Sequence, residues 1–142
     1  MASFNVVVAD PETGATHQLE AEEQDANRFI NKEIGDEVDG GAVGLDGCTL
    51  EITGGSDAAG RPMRADIAGP NLKEVLMKER SVGYKPDRPG QRKRLTLRGR
   101  VVSDETSQIN TKVVSVGDKS VPELLGLEGG EDEDEDEDAD EE

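Results

Sequence analysis

Apolar residues fall in short runs along this chain, and their spacing changes from one segment to the next. Phe4 to Ala9 is a Val-rich run closed by Asp10-Pro11 and the turn residues Glu12-Thr13-Gly14. Thr16 to Leu19 resume a strand-compatible stretch, so the two read as a β-hairpin. From Glu22 to Asn31 the apolar positions Ala26, Phe29 and Ile30 fall at i, i+3 and i+4. That spacing predicts a short amphipathic helix with an acidic first turn and Gly35 beyond its end. Gly35 to Gly47 reads as loops around a weak Ala42-Val43 element.

Farther along, Cys48, Leu50 and Ile52 alternate with polar neighbours and predict a half-buried strand. It is expected to end in a sharp turn at Gly54-Gly55-Ser56-Asp57. Asp57 would accept backbone N–H groups there, before Gly60, Arg61 and Pro62 lead into Met63. Asn71 is a candidate cap for a second helix, Leu72 to Lys78, with Leu72, Val75 and Leu76 on one face. Two more strands follow, over Leu95, Leu97 and Val101-Val102, and over Ile109 to Val116. Ser120 to Leu127 reads as one helical turn. Short strands and frequent Gly turns predict a mostly β fold: a small closed β-barrel with one or two short helices and a disordered acidic C-terminal tail. The expected division is a domain over residues 1–127 and a tail over 128–142.

Composition narrows this picture. Hydrophobic residues are 32% and aromatics 2% of the 142 residues, with no Trp, so the core must rest on aliphatic side chains. The formal charge is -17, from 33 acids and 16 bases. Twelve of the acids lie in Glu128 to Glu142, which leaves 21 acids against the 16 bases before them. An acidic body of this kind stays hydrated in concentrated salt, and a halophilic cytoplasm is the first reading. The alternative is an ordinary acidic protein. The tail's charges repel and it has almost nothing apolar to bury, so it is read as a solvating segment or as a mobile polyanion competing for bases.

Against that acidity, Lys78 to Arg100 holds nine bases and two acids, a net of +7. The bases are Lys78, Arg80, Lys85, Arg88, Arg92, Lys93, Arg94, Arg98 and Arg100. Positive charge packed this closely repels itself unless a polyanion neutralises it, and a phosphate backbone does so. Arg outnumbers Lys, which favours bidentate phosphate contacts and stacking of the guanidinium plane, and Tyr84 is the available stacking ring. Pro86, Pro89 and Gly90 forbid a regular helix, so the bases are expected on an extended loop able to follow an irregular RNA surface. The competing reading is a patch that balances the acidic tail within one molecule. At about 1 M salt the screening length is about 3 Å, so fitted contacts would carry the binding.

The remaining chemistry is sparse. Cys48 has no second Cys for a disulfide or a metal site, which fits a reducing compartment. His17 has no ligand cluster around it, the Gly-Gly turn lacks the Lys-Ser/Thr ending of a P-loop, and no nucleophile elbow occurs. No catalytic residue, metal ligand, cofactor or small-molecule substrate is therefore expected. No apolar run has membrane-spanning length, and the N-terminus lacks a signal-peptide pattern, so a cytoplasmic, soluble protein is expected.

Two stretches resemble a known family: Ile52-Thr53-Gly54-Gly55-Ser56-Asp57-Ala58-Ala59-Gly60-Arg61-Pro62-Met63, and Tyr84-Lys85-Pro86-Asp87-Arg88-Pro89-Gly90-Gln91-Arg92-Lys93-Arg94 running on to Arg98-Gly99. They are similar to the small-subunit ribosomal protein six family of archaea and eukaryotes, over about Phe4 to Leu127. The resemblance implies a β-barrel body on ribosomal RNA near the foot of the small subunit, beside neighbouring ribosomal proteins. It implies RNA-facing roles for Arg61, Lys85, Arg88, Arg92, Lys93, Arg94 and Arg98, and the candidate RNA-binding set also takes in Arg64 and Arg100. Gly54, Gly55, Asp57, Gly60 and Pro62 would shape the backbone beside them. The eukaryotic members continue into a long basic helix with phosphorylation sites, whereas this chain ends in acid, so a role in kinase signalling is not implied. From another class, the rival is a protein-interaction module whose acidic tail recruits basic partners.

Overall fold

The Val-rich opening run forms β1 (Ser3–Ala9), with Phe4, Val6 and Val8 buried on one face at the two-residue strand period. Asp10 then turns the chain. Its carboxylate accepts the Glu12 N–H and the Thr13 hydroxyl, and its carbonyl accepts the Gly14 N–H. The chain returns as β2 (Thr16–Glu22), paired antiparallel with β1, and the expected hairpin is present. These elements come from a computed structural model that describes residues 3–117 and Val121. The segment 122–127 and the acidic tail lie outside the described residues.

Helix α1 (Glu23–Asn27) is shorter than the periodicity predicts, although Ala26 and Phe29 are buried as expected. Its continuation is captured elsewhere. Asn31 takes a left-handed φ of 68° and donates its N–H to the Val102 carbonyl, so no further helical turn forms. Strand β3 (Glu37–Asp39) follows, then a 3-10 turn, Gly40–Val43, that begins where Asp39 accepts the Gly41 N–H. Strand β4 (Thr49–Asp57) buries Leu50 and Ile52, and β7 (Thr106–Ser115) buries Ile109, Thr111 and Val113. Together they form one five-stranded sheet in the order β2-β1-β7-β4-β3, parallel only between β1 and β7.

This sheet curls around the main core, where Phe29, Leu45, Cys48, Val102 and Val121 join the inward residues of the strands. In place of the expected closed barrel, the described ladders leave β2 and β3 as free edges. The space between them is taken by α1 and the 3-10 turn, which touch each other and β2. Gly40 brings that turn close in, since a Cβ there would lie 2.5 Å from the Leu45 carbonyl oxygen.

A second sheet replaces the second predicted helix. Leu72 to Met77 is strand β5 (Leu72–Met77), paired antiparallel with β6 (Lys93–Arg98). Val75 and Met77 turn inward while Glu74 and Leu76 face out, a two-residue period that a helical reading of so short a run hides. Pairing with β6 overrides the local helix preference, as tertiary context commonly does. Ile67, Met77, Tyr84 and Leu97 form a second small core beneath this hairpin.

The segment Pro62-Met63-Arg64 straps the two sheets together. Met63 donates to the Gly55 carbonyl of β4, Arg98 of β6 donates to Pro62, and Arg64 donates to Arg98. The glycine motif therefore has a different geometry from the turn expected of it. Gly54 and Gly55 lie inside β4, at a register irregularity, and the turn comes later, where the Gly60 N–H reaches the Asp57 carbonyl at a φ of 87°. Gly55 must be small, because a Cβ there would lie 2.5 Å from the Gln108 carbonyl oxygen and 2.9 Å from the Met63 sulfur. Gly54 faces open space. Changing Gly55 to Ala is expected to cost about 1–3 kcal/mol in denaturant unfolding by overpacking. Gly54→Ala should cost distinctly less, and equal losses at the two positions would contradict this role for the strap.

Candidate nucleic-acid interface

The bases of residues 85–94 stand on a loop, closed between Tyr84 and Gln91, and on the start of β6 that follows it. Tyr84 donates its hydroxyl to the Gln91 carbonyl at 3.0 Å, and the Gln91 side-chain oxygen accepts the Asp87 N–H. Gly90, at a φ of 83°, makes the turn between them. At the foot of the hairpin, Ser81 and Tyr84 exchange both backbone hydrogen bonds across a two-residue turn. Gly83 there lies over Pro62, where a Cβ would come within 2.8 Å of the ring. The loop is thus clamped onto the strap that joins the sheets.

Lys85, Arg88 and Arg92 on this loop, and Lys93 and Arg94 at the start of β6, are all exposed, as are Lys78 and Arg80 beside them. Arg94 opposes Leu76 across the β5–β6 pair and shares its outer face. Among the described residues, no carboxylate forms an ion pair with any of these bases. They make up a solvent-facing positive surface held by a rigid base.

The other candidate residues go elsewhere. Arg98 is buried, and all three nitrogens of its guanidinium are engaged: Nε and Nη2 donate to Asp57 Oδ2, and Nη1 donates to Glu105 and to the Pro70 carbonyl. Asp57 uses its other oxygen, Oδ1, to accept the Ala59 and Arg61 N–H groups at 3.0 and 2.9 Å. The expected turn role of Asp57 is therefore present, and a buried ion pair is added to it. Arg64 lays two nitrogens on Asp66 and a third on Ser81, and Arg100 lies 3.5 Å from Glu33. Arg61 is exposed, at the rim of an open hollow that it shares with Asp104 and Glu105. The structure thus gathers five of the candidates on one loop and the start of the strand that follows it, and spends Arg64 and Arg98 on internal contacts.

Tyr84, the expected stacking ring, is buried. With Phe4 and Phe29 buried too and no Trp in the chain, no aromatic face is open to a base. The surface can offer charge, forked hydrogen bonds and guanidinium planes, which suits phosphates more than unstacked bases.

The Asp57 carboxyl is subject to opposing effects. Burial pushes its pKa up, but the Arg98 hydrogen bond, the Arg61 N–H, the Arg98 charge and the Ala59 N–H outweigh that and hold it below the usual carboxylate value. Burial likewise works against the Arg98 charge, and Asp57 and Glu105 more than offset it.

Comparison with known proteins agrees with the motifs. A family model described as Ribosomal protein S6e matches residues 4–126. The chain belongs to this family. Among its relatives, the small ribosomal subunit protein eS6 of Haloquadratum walsbyi is 61% identical over 93% of this chain and 80% of that protein. The protein of the same name from Haloarcula marismortui is 58% identical over 89% of this chain and 97% of its own length. That of Methanocaldococcus jannaschii is 47% identical, over 94% of this chain and 98% of its own. The family is one of ribosomal proteins, not of enzymes. No described helix is long and apolar enough to cross a membrane.

Asp57→Asn removes the buried counter-charge of Arg98 and leaves only the exposed Glu105; it is expected to cost about 3 kcal/mol, whereas the double change Asp57→Leu with Arg98→Met should recover much of it. Because the folded pKa of Asp57 is depressed, its contribution is complete above the unfolded value of about 4 and is lost as pH falls through the folded value. Thermal melts of the wild type should therefore fall more steeply below about pH 4 than those of the double variant. Parallel pH curves would exclude Asp57 as a source of acid sensitivity.

Proposed function

We propose that this chain is a structural constituent of the small ribosomal subunit that holds folded ribosomal RNA through the basic loop. Lys85, Arg88, Arg92, Lys93 and Arg94 are the phosphate contacts in this reading, and Arg61 is an outlying one. The observation that carries it is the cluster of exposed bases, free of described carboxylate partners, in a chain whose net charge is -17. Such a concentration is costly without a polyanion beside it. Relatives are named as proteins of the small ribosomal subunit, and the RNA of such a subunit is the polyanion of this reading.

In this reading the body over residues 1–127 is the RNA-binding unit, and its partners are ribosomal RNA and adjacent ribosomal proteins. The protein works ribosome-bound in the cytoplasm and needs neither cofactor nor small-molecule substrate. The acidic composition and the haloarchaeal relatives support work in concentrated salt. There the screening length is about 3 Å at 1 M, so contact geometry outweighs long-range attraction. A loop stapled at both ends suits such conditions, because its backbone is held before RNA arrives and less entropy is lost on binding.

The test is co-sedimentation with small ribosomal subunits in molar KCl, comparing the wild type with Arg88, Arg92, Lys93 and Arg94 all changed to Glu. The wild type should pellet with the subunit, and the variant should stay in the supernatant while melting at an unchanged temperature. If both pellet, the RNA contact lies on another surface. If neither does, the ribosomal reading fails.

A further inference from the structure

A basic surface ordered in advance attracts any polyanion, and the most concentrated one within reach belongs to the same chain. Residues 128–142 carry 12 carboxylates and no base. The surface around the hairpin, from Lys78 to Arg94, carries seven bases against Glu79 and Asp87, a net of +5. We propose that the acidic segment docks on this basic surface in the free protein and is displaced by RNA on assembly. The proposal deepens the RNA-binding reading and rests on it for the displacement step alone.

Reach permits it. Val121 is 1% exposed and packed in the main core, so the chain is anchored to the body at that point. The 21 residues after it can span at most about 70 Å. A body of this size has a radius of gyration of about 14 Å. The acidic block can therefore reach the hairpin from any exit direction.

Charge selects the place. Outside the hairpin, four described bases are drawn to neighbours: Lys112 lies 3.3 Å from Glu51, Arg100 3.5 Å from Glu33, and Arg64 and Arg98 are paired with Asp66 and Asp57. Arg28, Lys32, Arg61 and Lys73 are exposed without an ion pair among the described residues, but they are scattered along the chain rather than concentrated. The hairpin bases have no such described carboxylate, so a carboxylate run arriving there displaces only water. With no exposed aromatic ring, the surface recognises its partner mainly by negative charge, which the tail and a phosphate backbone share.

The strength of the contact follows from tethering. A linked segment acts at an effective concentration of the order of 1 mM, and a non-specific polyanion site binds at about 0.1 mM or tighter, so docking should weaken apparent RNA affinity about tenfold. Salt sets when this matters. Screening shortens from about 8 Å at 0.15 M to about 3 Å at 1 M, so a loosely fitted tail should lose its hold before a shape-matched RNA does. Docking is therefore strongest in the free protein at low salt, and in molar salt the tail yields readily to a shape-matched RNA.

The experiment uses the full chain and a counterpart in which every Asp and Glu of 128–142 becomes Asn or Gln. Carbodiimide cross-linking of the free protein at 0.15 M KCl, read by mass spectrometry, should join tail carboxylates to Lys85, Lys93 and Lys78 in preference to Lys32, Lys73 and Lys112. The preference should vanish in 2 M KCl or on adding polyuridylate. The neutral-tail chain should bind polyuridylate about tenfold more tightly at 0.15 M KCl, with the gap closing as salt rises. Cross-links spread evenly over all these lysines, or equal polyuridylate affinity of the two chains, would overturn the proposal. The cross-links involve no ribosome, so failure of the co-sedimentation test leaves this result readable by itself.

Discussion

The ion pair between Asp57 and Arg98 is the constraint on which the rest of the structure depends. It spans 41 positions of sequence and lies where the curled sheet, the strap and the β5–β6 hairpin meet. Asp57 closes the turn at the end of β4 with one oxygen and holds the second sheet with the other. A buried pair of this kind adds little net stability over an apolar replacement, because both ions lose their water. Its value is directional. Each partner without the other leaves a charge in the interior, so the two sheets are tied to one relative placement.

That placement lets an acidic protein present a basic edge. The strap seated on Gly55 carries Pro62, Pro62 supports the turn at Gly83, and that turn leads into the loop closed by Tyr84 and Gln91. Every link is a close backbone approach or a hydrogen bond, and none relies on the charges the loop displays. The loop bases are therefore relieved of structural duty and available to a partner. The thin core is consistent with this economy: a small second cluster around Ile67, Met77, Tyr84 and Leu97 is enough to hold the hairpin.

The first and fourth strands are legible in the sequence, Phe4 to Ala9 as a Val-rich run and Leu50-Ile52 by alternation, and in both the buried residues fall two apart with less buried neighbours between them. Leu72 to Lys78 is not, because Leu72, Val75 and Leu76 are spaced for a helix while Val75 and Met77 fit one face of a strand, and only the partner strand decides. The glycine pair misleads for a related reason. Gly55 is small to admit Met63 and the Gln108 backbone, a tertiary need that composition does not distinguish from a turn. Within the candidate interface, the positive charge is visible in the sequence but its division is not. Arg94 and Arg98 stand four residues apart on one strand; the first faces solvent and the second is buried on a carboxylate 41 positions away. The placing of Asp57 and Arg98 in two separate motifs is the available signal, and only a contact between those motifs gives it meaning.

The most direct measurement is a cryo-electron microscopy map of the small subunit containing this chain, at a resolution that shows arginine side chains. The expected map has Lys85, Arg88, Arg92, Lys93 and Arg94 against RNA phosphates, with Arg98 still closed on Asp57 and Glu105. A map in which the hairpin loop points into solvent while the five-stranded sheet faces the RNA, or in which Arg98 leaves Asp57 to reach a phosphate, would contradict it.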